Sequence, residues 1–388
     1  MNYCGYSITY SLDLKCVIMK KMLIVLPLFV WFLTAIAKSA IDPPTLEIGA
    51  KAPDFSLPGV DGKTYSLNDF RSHDVLVIVF TCNHCPTAQA YEDRIMKLTA
   101  DYKSRGVGLV AISPNDPESV RLDELGYTDL GDSFEDMKIR AEDKGFNFPY
   151  LFDGETSEVA VKYGPKTTPH VFVFDSDRML RYTGRIDDGE KPGTAKIHDT
   201  RNAIDALLKG GEVPVQKTPS FGCSVKWPDK KEDAARAMKR WEEEPVSIGE
   251  LSMDGLKELL KNEGVEYKLI NVWATWCGPC VTEFPHLIEM NRMYRHREFE
   301  LITISLDDID RKDKALYFLN KKHASMTNYI FSGGDKYAFI EAIDKSWDGA
   351  LPLTLIVAPG GEVVFRKMGA IDPLETKRAV VENIGRVY

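Results

Sequence analysis

"NVWATWCGPCVTEFP", residues 271–285, joins an apolar, β-branched run to two cysteines that are separated by Gly278 and Pro279. The run predicts a buried strand, and the apolar spacing after it predicts an amphipathic helix that begins at the second cysteine. Gly278 permits the tight turn, and Pro279 fits the first helical turn, where its missing N–H costs nothing. At the N-terminal edge of a helix, unpaired N–H groups and the helix dipole stabilise a thiolate. We therefore predict that Cys277 is the attacking thiolate and that Cys280 resolves the mixed disulfide.

The same order of features occurs earlier in the chain. "VLVIVFTCNHCPTAQAY", residues 75–91, matches "KLINVWATWCGPCVTEF", residues 268–284, and this match pairs Cys82 with Cys277 at an offset of 195. Two further matches follow in the same order, namely "GLVAIS" (108–113) with "ELITIS" (300–305), and the stretch around Pro169 with the stretch around Pro352. Three ordered matches predict a diverged internal repeat.

Each copy of the repeat predicts a strand, a CxxC turn, a helix, a second buried strand, a closing hairpin and a last helix. Strands that alternate with helices predict a mostly parallel α/β sheet. The hairpins should turn at 176–177 and 359–361, and the last helices should run from about 197 to 209 and from about 373 to 385. Between the copies, a stretch rich in Pro and Gly and then in charges predicts a connector with one solvated helix from about 229 to 243.

Length and charge limit the class of protein. A chain of 388 residues is longer than one hydrophobic core usually supports, so two domains are expected. The formal net charge of −9 gives no basic surplus to neutralise phosphates, so no nucleic-acid partner is expected.

The N-terminal region predicts export. "KKMLIVLPLFVWFLTAIAKSA", residues 20–40, sets two lysines before an apolar run that ends in small residues, which is typical of a signal peptide cleaved after Ala37. An uncleaved membrane anchor is the alternative, and membrane association is expected only in that case; the run is short for a spanning helix. Export predicts a location in the periplasm or cell envelope, where paired cysteines persist as disulfides. Cleavage would remove Cys4 and Cys16 from the seven cysteines of the chain. The other five form two close pairs and one odd residue, which predicts redox chemistry.

The CGPC motif, followed by "GALPLTLIVAPGGEVVFRKMGAI", residues 349–371, resembles the thioredoxin superfamily, in particular the exported TlpA/ResA-like thiol-disulfide oxidoreductases. The first copy, with "IGAKAPDFSLPGVDGKTYSLNDF" at residues 48–70, resembles the AhpC/TSA-type redoxin branch. The resemblance implies an α/β protein with two tandem thioredoxin-like folds, each a central mixed sheet flanked by helices. The expected organisation is upstream residues and a signal peptide (1–40), a redoxin-like domain (45–210), a connector with Cys223 (211–245) and a TlpA-like domain (246–388).

The resemblance implies a thiol-disulfide oxidoreductase that needs no cofactor beyond its redox-active cysteine pairs. Its partners would be protein disulfide or dithiol substrates and an upstream electron donor or acceptor protein.

The resemblance to the thioredoxin superfamily also implies roles for residues around the CGPC motif. Glu283, on the same helix face as Cys280, would move a proton to or from that thiol, and the alternative is a solvated glutamate. Trp276 would offer a flat contact surface to a partner, and the alternative is a core tryptophan. The Leu351–Pro352 bond would be cis, with the Leu351 backbone free to pair with a substrate strand.

In the first copy the residues between the cysteines are Asn83 and His84. A histidine before the second cysteine is similar to the CPHC motif of strongly oxidising periplasmic proteins, in which a stabilised thiolate makes the disulfide a better oxidant. We therefore predict that Cys82 and Cys85 form the more oxidising pair. Thr168 and Pro169 would supply the cis-proline of this copy and bind substrate. Ala88 would replace the Glu283 carboxylate, and Glu92, one turn further on, would be exposed.

Two other functions compete with this interpretation. A thiol peroxidase would carry Pro-x-x-x-Thr/Ser-x-x-Cys, but residues 73–81, "HDVLVIVFT", contain no proline. A copper or haem-assembly protein could use Cys82, His84, Cys85 and His170, since thiolates and imidazoles suit copper or zinc. Because Asn83 and His84 should point apart on a tight turn, we expect no metal.

Cys223 is the odd cysteine. It is either a buried small residue or a third redox thiol that reaches Cys82 and Cys85 from the connector. Two unlike sites on one chain also suggest a relay of electrons between the two pairs, because tethering raises the effective concentration of one site at the other.

Overall fold

Buried β-branched runs form the centres of two separate sheets in the computed structural model, which describes residues 41–386. The predicted signal peptide, residues 20–40, lies outside the described residues. Within the described part of the chain, no helix is long and apolar enough to cross a membrane.

The first copy and the connector contain the elements numbered β1 to β9 and α1 to α5. The strands are β1 (Ser56–Pro58), β2 (Thr64–Ser66), β3 (Val75–Phe80), β4 (Val107–Ser113), β5 (Tyr150–Phe152), β6 (Thr167–Thr168), β7 (His170–Phe174), β8 (Leu180–Gly184) and β9 (Cys223–Ser224). The helices are α1 (Pro86–Tyr102), α2 (Phe134–Lys144), α3 (Glu158–Tyr163), α4 (Asp199–Leu208) and α5 (Lys231–Glu242).

The second copy contains the remaining elements. The strands are β10 (Gly249–Leu251), β11 (Tyr267–Trp273), β12 (Phe299–Ser305), β13 (Thr327–Phe331), β14 (Leu353–Val357) and β15 (Val363–Met368). The helices are α6 (Met253–Lys261), α7 (Gly278–Tyr294), α8 (Lys312–Lys322), α9 (Lys336–Ile343) and α10 (Pro373–Ile384). The predicted hairpins and last helices are confirmed.

Both copies have a mixed sheet with the same order of strands. In the first copy the order is β5-β4-β3-β7-β8, with β3, β4 and β5 parallel and the β7-β8 hairpin antiparallel. In the second copy the order is β10-β13-β12-β11-β14-β15, so its last five strands repeat that order and β10 adds a parallel edge. The predicted repeat and the mixed α/β sheets are therefore confirmed.

The core lies on both faces of each sheet. Neighbouring residues of a strand point to opposite faces, so Val77 and Ile78 of β3 pack into two different core clusters. Leu269 and Ile270 of β11 do the same in the second copy. Because both faces are covered, these strands are apolar along nearly their whole length.

The registers of the two sheets correct the alignment of the cysteine pairs. β3 and β11, β4 and β12, and α1 and α7 each begin 192 residues apart. This offset pairs Cys85 with Cys277 and Cys82 with Ala274, so the predicted pairing at an offset of 195 is wrong. The reason is the start of α1, because Pro86 directly follows Cys85 and occupies the first helical turn. A residue before proline avoids helical backbone, which holds Cys85 just outside the helix.

The connector is packed structure rather than a free linker. Val213 lies in one core cluster of the first copy, and Val225 and Trp227 lie in the other. The predicted connector helix is confirmed as α5. The guanidinium of Arg292 lies over the Trp241 ring of α5, with 5.8 Å to the ring centroid, so α5 contacts the second copy.

A loop at residues 122–129 joins the first copy to the second. Leu125 is buried in the core cluster that also contains Met290 of α7. The Tyr294 hydroxyl at the end of α7 donates to the Thr128 carbonyl oxygen at 2.9 Å. The two copies therefore share an interface along α7.

Candidate active sites

The CGPC site lies at the N-terminus of α7. The helix begins at Gly278, one residue after Cys277, and not at Cys280 as the sequence predicts, and Pro279 lies in its first turn as predicted. The Cys277 sulfur accepts the Cys280 N–H at 3.3 Å, and the two cysteines form a disulfide. Cys277 is 6% exposed and Cys280 is fully buried, so an attacking thiolate would reach Cys277 first.

Two predicted contact residues lie at this site. Trp276 is 64% exposed, so it is not a core tryptophan, whereas Trp273, three residues earlier, is fully buried. The Leu351–Pro352 bond is cis, and Leu351 packs against the core cluster that includes Cys277. Contact of these residues with a partner stays a prediction.

Glu283 is buried on α7, one turn beyond Cys280. Its Oε1 accepts from the Asn271 amide at 2.8 Å, and its Oε2 accepts from the Ile371 N–H at 2.9 Å. Burial raises the pKa of Glu283, and these two hydrogen bonds oppose that shift. The burial excludes a solvated glutamate, while proton transfer with Cys280 stays a prediction.

In the CNHC site the helix-terminal cysteine is Cys85. Its sulfur accepts the Ala88 N–H at 3.5 Å, as expected of an N-cap. Cys82 lies before the helix, and its sulfur is 3.2 Å from the Thr168 hydroxyl oxygen. Both cysteines are free thiols, and in the protonated form Cys85 donates to the Thr168 carbonyl oxygen at 3.2 Å.

The two thiols of this site differ in acidity. Burial, together with the neighbouring Cys85 sulfur and the Asp132 carboxylate, raises the pKa of Cys82 well above its usual range. Burial opposes ionisation of Cys85 as well, but hydrogen bonds from the Cys223 and Cys82 thiols and the nearby His84 charge hold its pKa well below the usual range. Cys85 is therefore the more acidic thiol of the first copy.

Sequence reasoning missed Asp132, which organises the turn between the two cysteines. Its Oδ1 accepts the backbone N–H groups of Asn83 and His84 at 2.9 and 3.0 Å. Its Oδ2 accepts from His84 Nδ1 at 2.6 Å and from the Asn115 amide at 2.7 Å. The Asn83 side chain in turn donates to the backbone and accepts from the Tyr150 hydroxyl. No local pattern marks Asp132, because it lies 48 residues beyond His84.

His84 and Asp132 form a buried ion pair. Burial alone would lower the pKa of His84, but the Asp132 charge and hydrogen bond raise it. Burial alone would raise the pKa of Asp132, but His84 and Asn115 lower it. Asp132 therefore favours the charged form of His84 beside Cys85, and the effect of His84 on the potential of the cysteine pair stays a prediction.

Only two of the four residues proposed as metal ligands, Cys82 and His84, belong to a cluster of potential ligand atoms. Residues 41–386 contain one group of three or more His, Cys, Asp or Glu residues whose ligand atoms all lie within 4.8 Å of one another, and it consists of Cys82, His84 and Asp132. The His84 Nδ1 atom is already engaged with Asp132. His170 accepts the Lys166 N–H at 3.1 Å, and burial lowers the pKa of His170 to about 4. The four-residue donor set of the metal-binding alternative therefore does not assemble among the described residues.

The edge beside the first cis-proline is occupied. The Thr168–Pro169 bond is cis, and Thr168 pairs with Cys223 of β9. The Thr168 backbone before the cis-proline is thus paired with the connector, and substrate binding by Thr168 and Pro169 stays a prediction. Cys223 packs against Cys82 and Cys85, so the connector brings the third thiol to the pair.

Two polar residues of α1 differ from expectation. At the corrected offset, the position equivalent to Glu283 is Tyr91 and not Ala88, and the Tyr91 hydroxyl donates to Asp187 at 2.9 Å. Glu92, which the sequence leaves exposed, is buried and accepts two hydrogen bonds from Arg140, each at 2.8 Å.

Comparisons with known proteins match both copies. An AhpC/TSA family model matches residues 48–183, and a Redoxin model matches residues 253–383. The chain is 28% identical over 117 residues to the thiol-disulfide oxidoreductase ResA of Bacillus thuringiensis, a match that covers 28% of this chain and 57% of ResA. The chain is also 29% identical over 145 residues to a Mycobacterium tuberculosis protein that is named as a peroxiredoxin. That match covers 37% of this chain and 80% of the relative.

A solved structure of an uncharacterised conserved protein from Geobacillus kaustophilus is 41% identical and covers 47% of this chain and 92% of that one, with a TM-score of 0.42.

Proposed function

Because the chain belongs to the thioredoxin superfamily, with an AhpC/TSA-type domain followed by a redoxin domain, we propose that it is a thiol-disulfide oxidoreductase whose main reactive pair is Cys277 and Cys280. The observation that carries the proposal is the position of Cys277 at the N-terminus of α7, where it is the more exposed residue of the pair. Unpaired N–H groups at a helix N-terminus lower the pKa of a thiol and make it a better nucleophile near neutral pH.

The exchange runs in two steps. The Cys277 thiolate attacks a partner disulfide, a mixed disulfide forms and one partner sulfur leaves. Cys280 then attacks the Cys277 sulfur and releases the second partner sulfur, so the partner gains two electrons and the pair is oxidised. Glu283 accepts the proton that Cys280 loses, and the buried carboxylate has a raised pKa suited to this exchange.

Partner recognition is proposed for the surface around Cys277. The exposed Trp276 ring would pack on the partner, and the Leu351 backbone before Pro352 would pair with an extended partner segment. Protein disulfides or dithiols are therefore the proposed substrates.

Reduction of insulin disulfides by dithiothreitol tests the proposal. Cys277→Ser should lower the catalysed rate to background, and Cys280→Ser should accumulate a mixed disulfide with the substrate. Cys223→Ser is the matched control and should keep the wild-type rate. A Cys277→Ser variant that keeps the wild-type rate would refute the proposal.

We also propose that the protein is exported and that its two CxxC pairs exchange electrons. Both pairs lie on one chain, and tethering favours exchange between them. In stopped-flow reduction of the Cys277–Cys280 disulfide by a donor protein, replacing Cys82 and Cys85 with serine should slow the reaction. An unchanged rate would exclude the relay, and cell fractionation tests export separately.

A further inference from the structure

Residues 216–227 of the connector, here called the strap, run across the first copy. The Thr183 N–H donates to the Gln216 carbonyl oxygen at 2.9 Å, and the Thr218 N–H donates back to Thr183 at 3.1 Å. Further along, the Lys226 N–H donates to the Asn115 side chain at 2.8 Å. The strap therefore follows the edge of the sheet and ends beside the Asp132 network.

In its middle, the strap pairs with the backbone that precedes the cis-proline. Cys223 of β9 pairs antiparallel with Thr168 of β6. The equivalent residue of the second copy is Leu351, which lies two residues before the start of β14 at Leu353. Within residues 41–386, no strand pairs with the Leu351 backbone. The strap thus occupies in the first copy the position that is open in the second.

Two glycines show that this close fit is built into the sequence. A Cβ atom on Gly222 of the strap would lie 2.1 Å from the Thr168 carbonyl oxygen, and the φ of Gly222 is +133°. A Cβ atom on Gly184 of β8 would lie 2.1 Å from the Thr218 hydroxyl oxygen. Only glycine permits such an approach of two backbones.

This close fit places Cys223 beside Cys85. The Cys223 N–H donates to the Cys85 sulfur at 3.3 Å, and the Cys223 side chain packs against the cluster formed by Cys82, Cys85 and Ala88. Cys223 and Cys82 both pack against Cys85, so the helix-terminal sulfur lies within reach of two thiols.

We propose that the strap is a built-in substrate of the CNHC site, which exchanges a disulfide with Cys223 and is closed to other proteins while the strap is in place. This inference rests on the proposed oxidoreductase function. The Cys223 thiolate attacks Cys85 in the Cys82–Cys85 disulfide, a Cys85–Cys223 bond forms, and Cys82 leaves as a thiolate. Cys82 takes up the proton that Cys223 lost, so three sulfurs share one disulfide and no electrons enter or leave.

The exchange is tested in the full chain with Cys4, Cys16, Cys82, Cys277 and Cys280 all replaced by serine, so that Cys85 and Cys223 are its two remaining cysteines. After oxidation with diamide, alkylation and peptide mass mapping, the expected product is a Cys85–Cys223 linked peptide within one chain. Recovery of alkylated Cys223, together with Cys85 that is either alkylated or linked to another chain, would overturn the exchange. Because the second site is absent from this variant, the result does not depend on whether Cys277 is active.

The closure is tested by displacing the strap without removing its thiol. Gly222→Ala should raise the rate of Cys85 alkylation by iodoacetamide at least about tenfold, because the new methyl group collides with Thr168. Gly210→Ala is the matched control, since Gly210 also has a positive φ of +69° but no atom lies within 4 Å of its Cβ position. Equal alkylation rates in the two variants would overturn the closure. Insulin reduction, measured in parallel, reports separately on the Cys277 site.

Discussion

Replacement of Asp132 with alanine should destabilise the first copy strongly. Asp132 is 2% exposed, and its carboxylate accepts four hydrogen bonds, from two backbone N–H groups, His84 Nδ1 and the Asn115 amide. The truncation leaves the His84 imidazolium buried without its counter-ion. Breaking a buried pair in this way costs about 3–5 kcal/mol, and for a domain of this size that loss lowers the melting temperature by roughly 6–20 °C.

The pH dependence follows from the directions of the two shifts. The folded pKa of His84 lies above the ordinary 6.5, so its contribution is fully present below pH 6.5 and is lost as the pH rises through the folded value. The folded pKa of Asp132 lies below the ordinary 3.8, so its contribution is fully present above pH 3.8 and is lost as the pH falls through the folded value. The difference between wild type and Asp132→Ala should therefore be largest between pH 3.8 and 6.5.

Urea denaturation at a series of pH values measures this difference. Glu135→Ala is the matched control, because Glu135 is an exposed carboxylate three residues beyond Asp132 and, within residues 41–386, pairs only with Lys138. The control should unfold like the wild type. A loss below about 1 kcal/mol for Asp132→Ala, or a loss that is constant from pH 4 to 9, would refute the reasoning about the buried pair.

Three other substitutions test separate parts of the structure. Glu283→Gln should slow thiol exchange at the second site by about 10²-fold and flatten its pH dependence, which stopped-flow fluorescence measures; an unchanged pH profile would argue against proton transfer. Arg140→Met should lower the free energy of unfolding by about 3–5 kcal/mol, because Glu92 stays buried without its two hydrogen bonds from Arg140 and keeps the Lys144 amine at 3.8 Å. Adding Glu92→Gln should recover most of the loss in urea denaturation. Tyr294→Phe should remove the hydrogen bond to Thr128 and cost about 1 kcal/mol in thermal denaturation, with no change in insulin reduction; a slower reduction would mean that docking affects catalysis.

Local patterns in the sequence predict most of the architecture. The apolar run Val75–Phe80 is a central strand because its residues are buried on both faces, and the turn at 359–361 joins two antiparallel strands as expected. The helix start at Pro86 shows where matching by cysteines misleads, since the position of a proline and not the spacing of the sulfurs determines the offset between the copies.

The parts of the site that sequence reasoning missed depend on distant contacts. Arg140 meets Glu92, and Asp132 meets His84, across 48 residues each. Neither carboxylate lies in a pattern that distinguishes a buried acid from a solvated one, because burial is decided by the packing of α2 and the loop before it. The pairing of Cys223 with Thr168 is likewise set by tertiary structure and not by spacing.

The packing of the strap determines where the first copy can be cut. A fragment that ends at residue 210 would lose Val225 and Trp227, which are 3% and 6% exposed in the intact chain, and would uncover the apolar surface on which they lie. It would also lose Cys223 and leave Cys85 with a single neighbouring thiol. The smallest fragment of the first copy that keeps its core and all three sulfurs therefore extends to Trp227, beyond the end of the family match at residue 183.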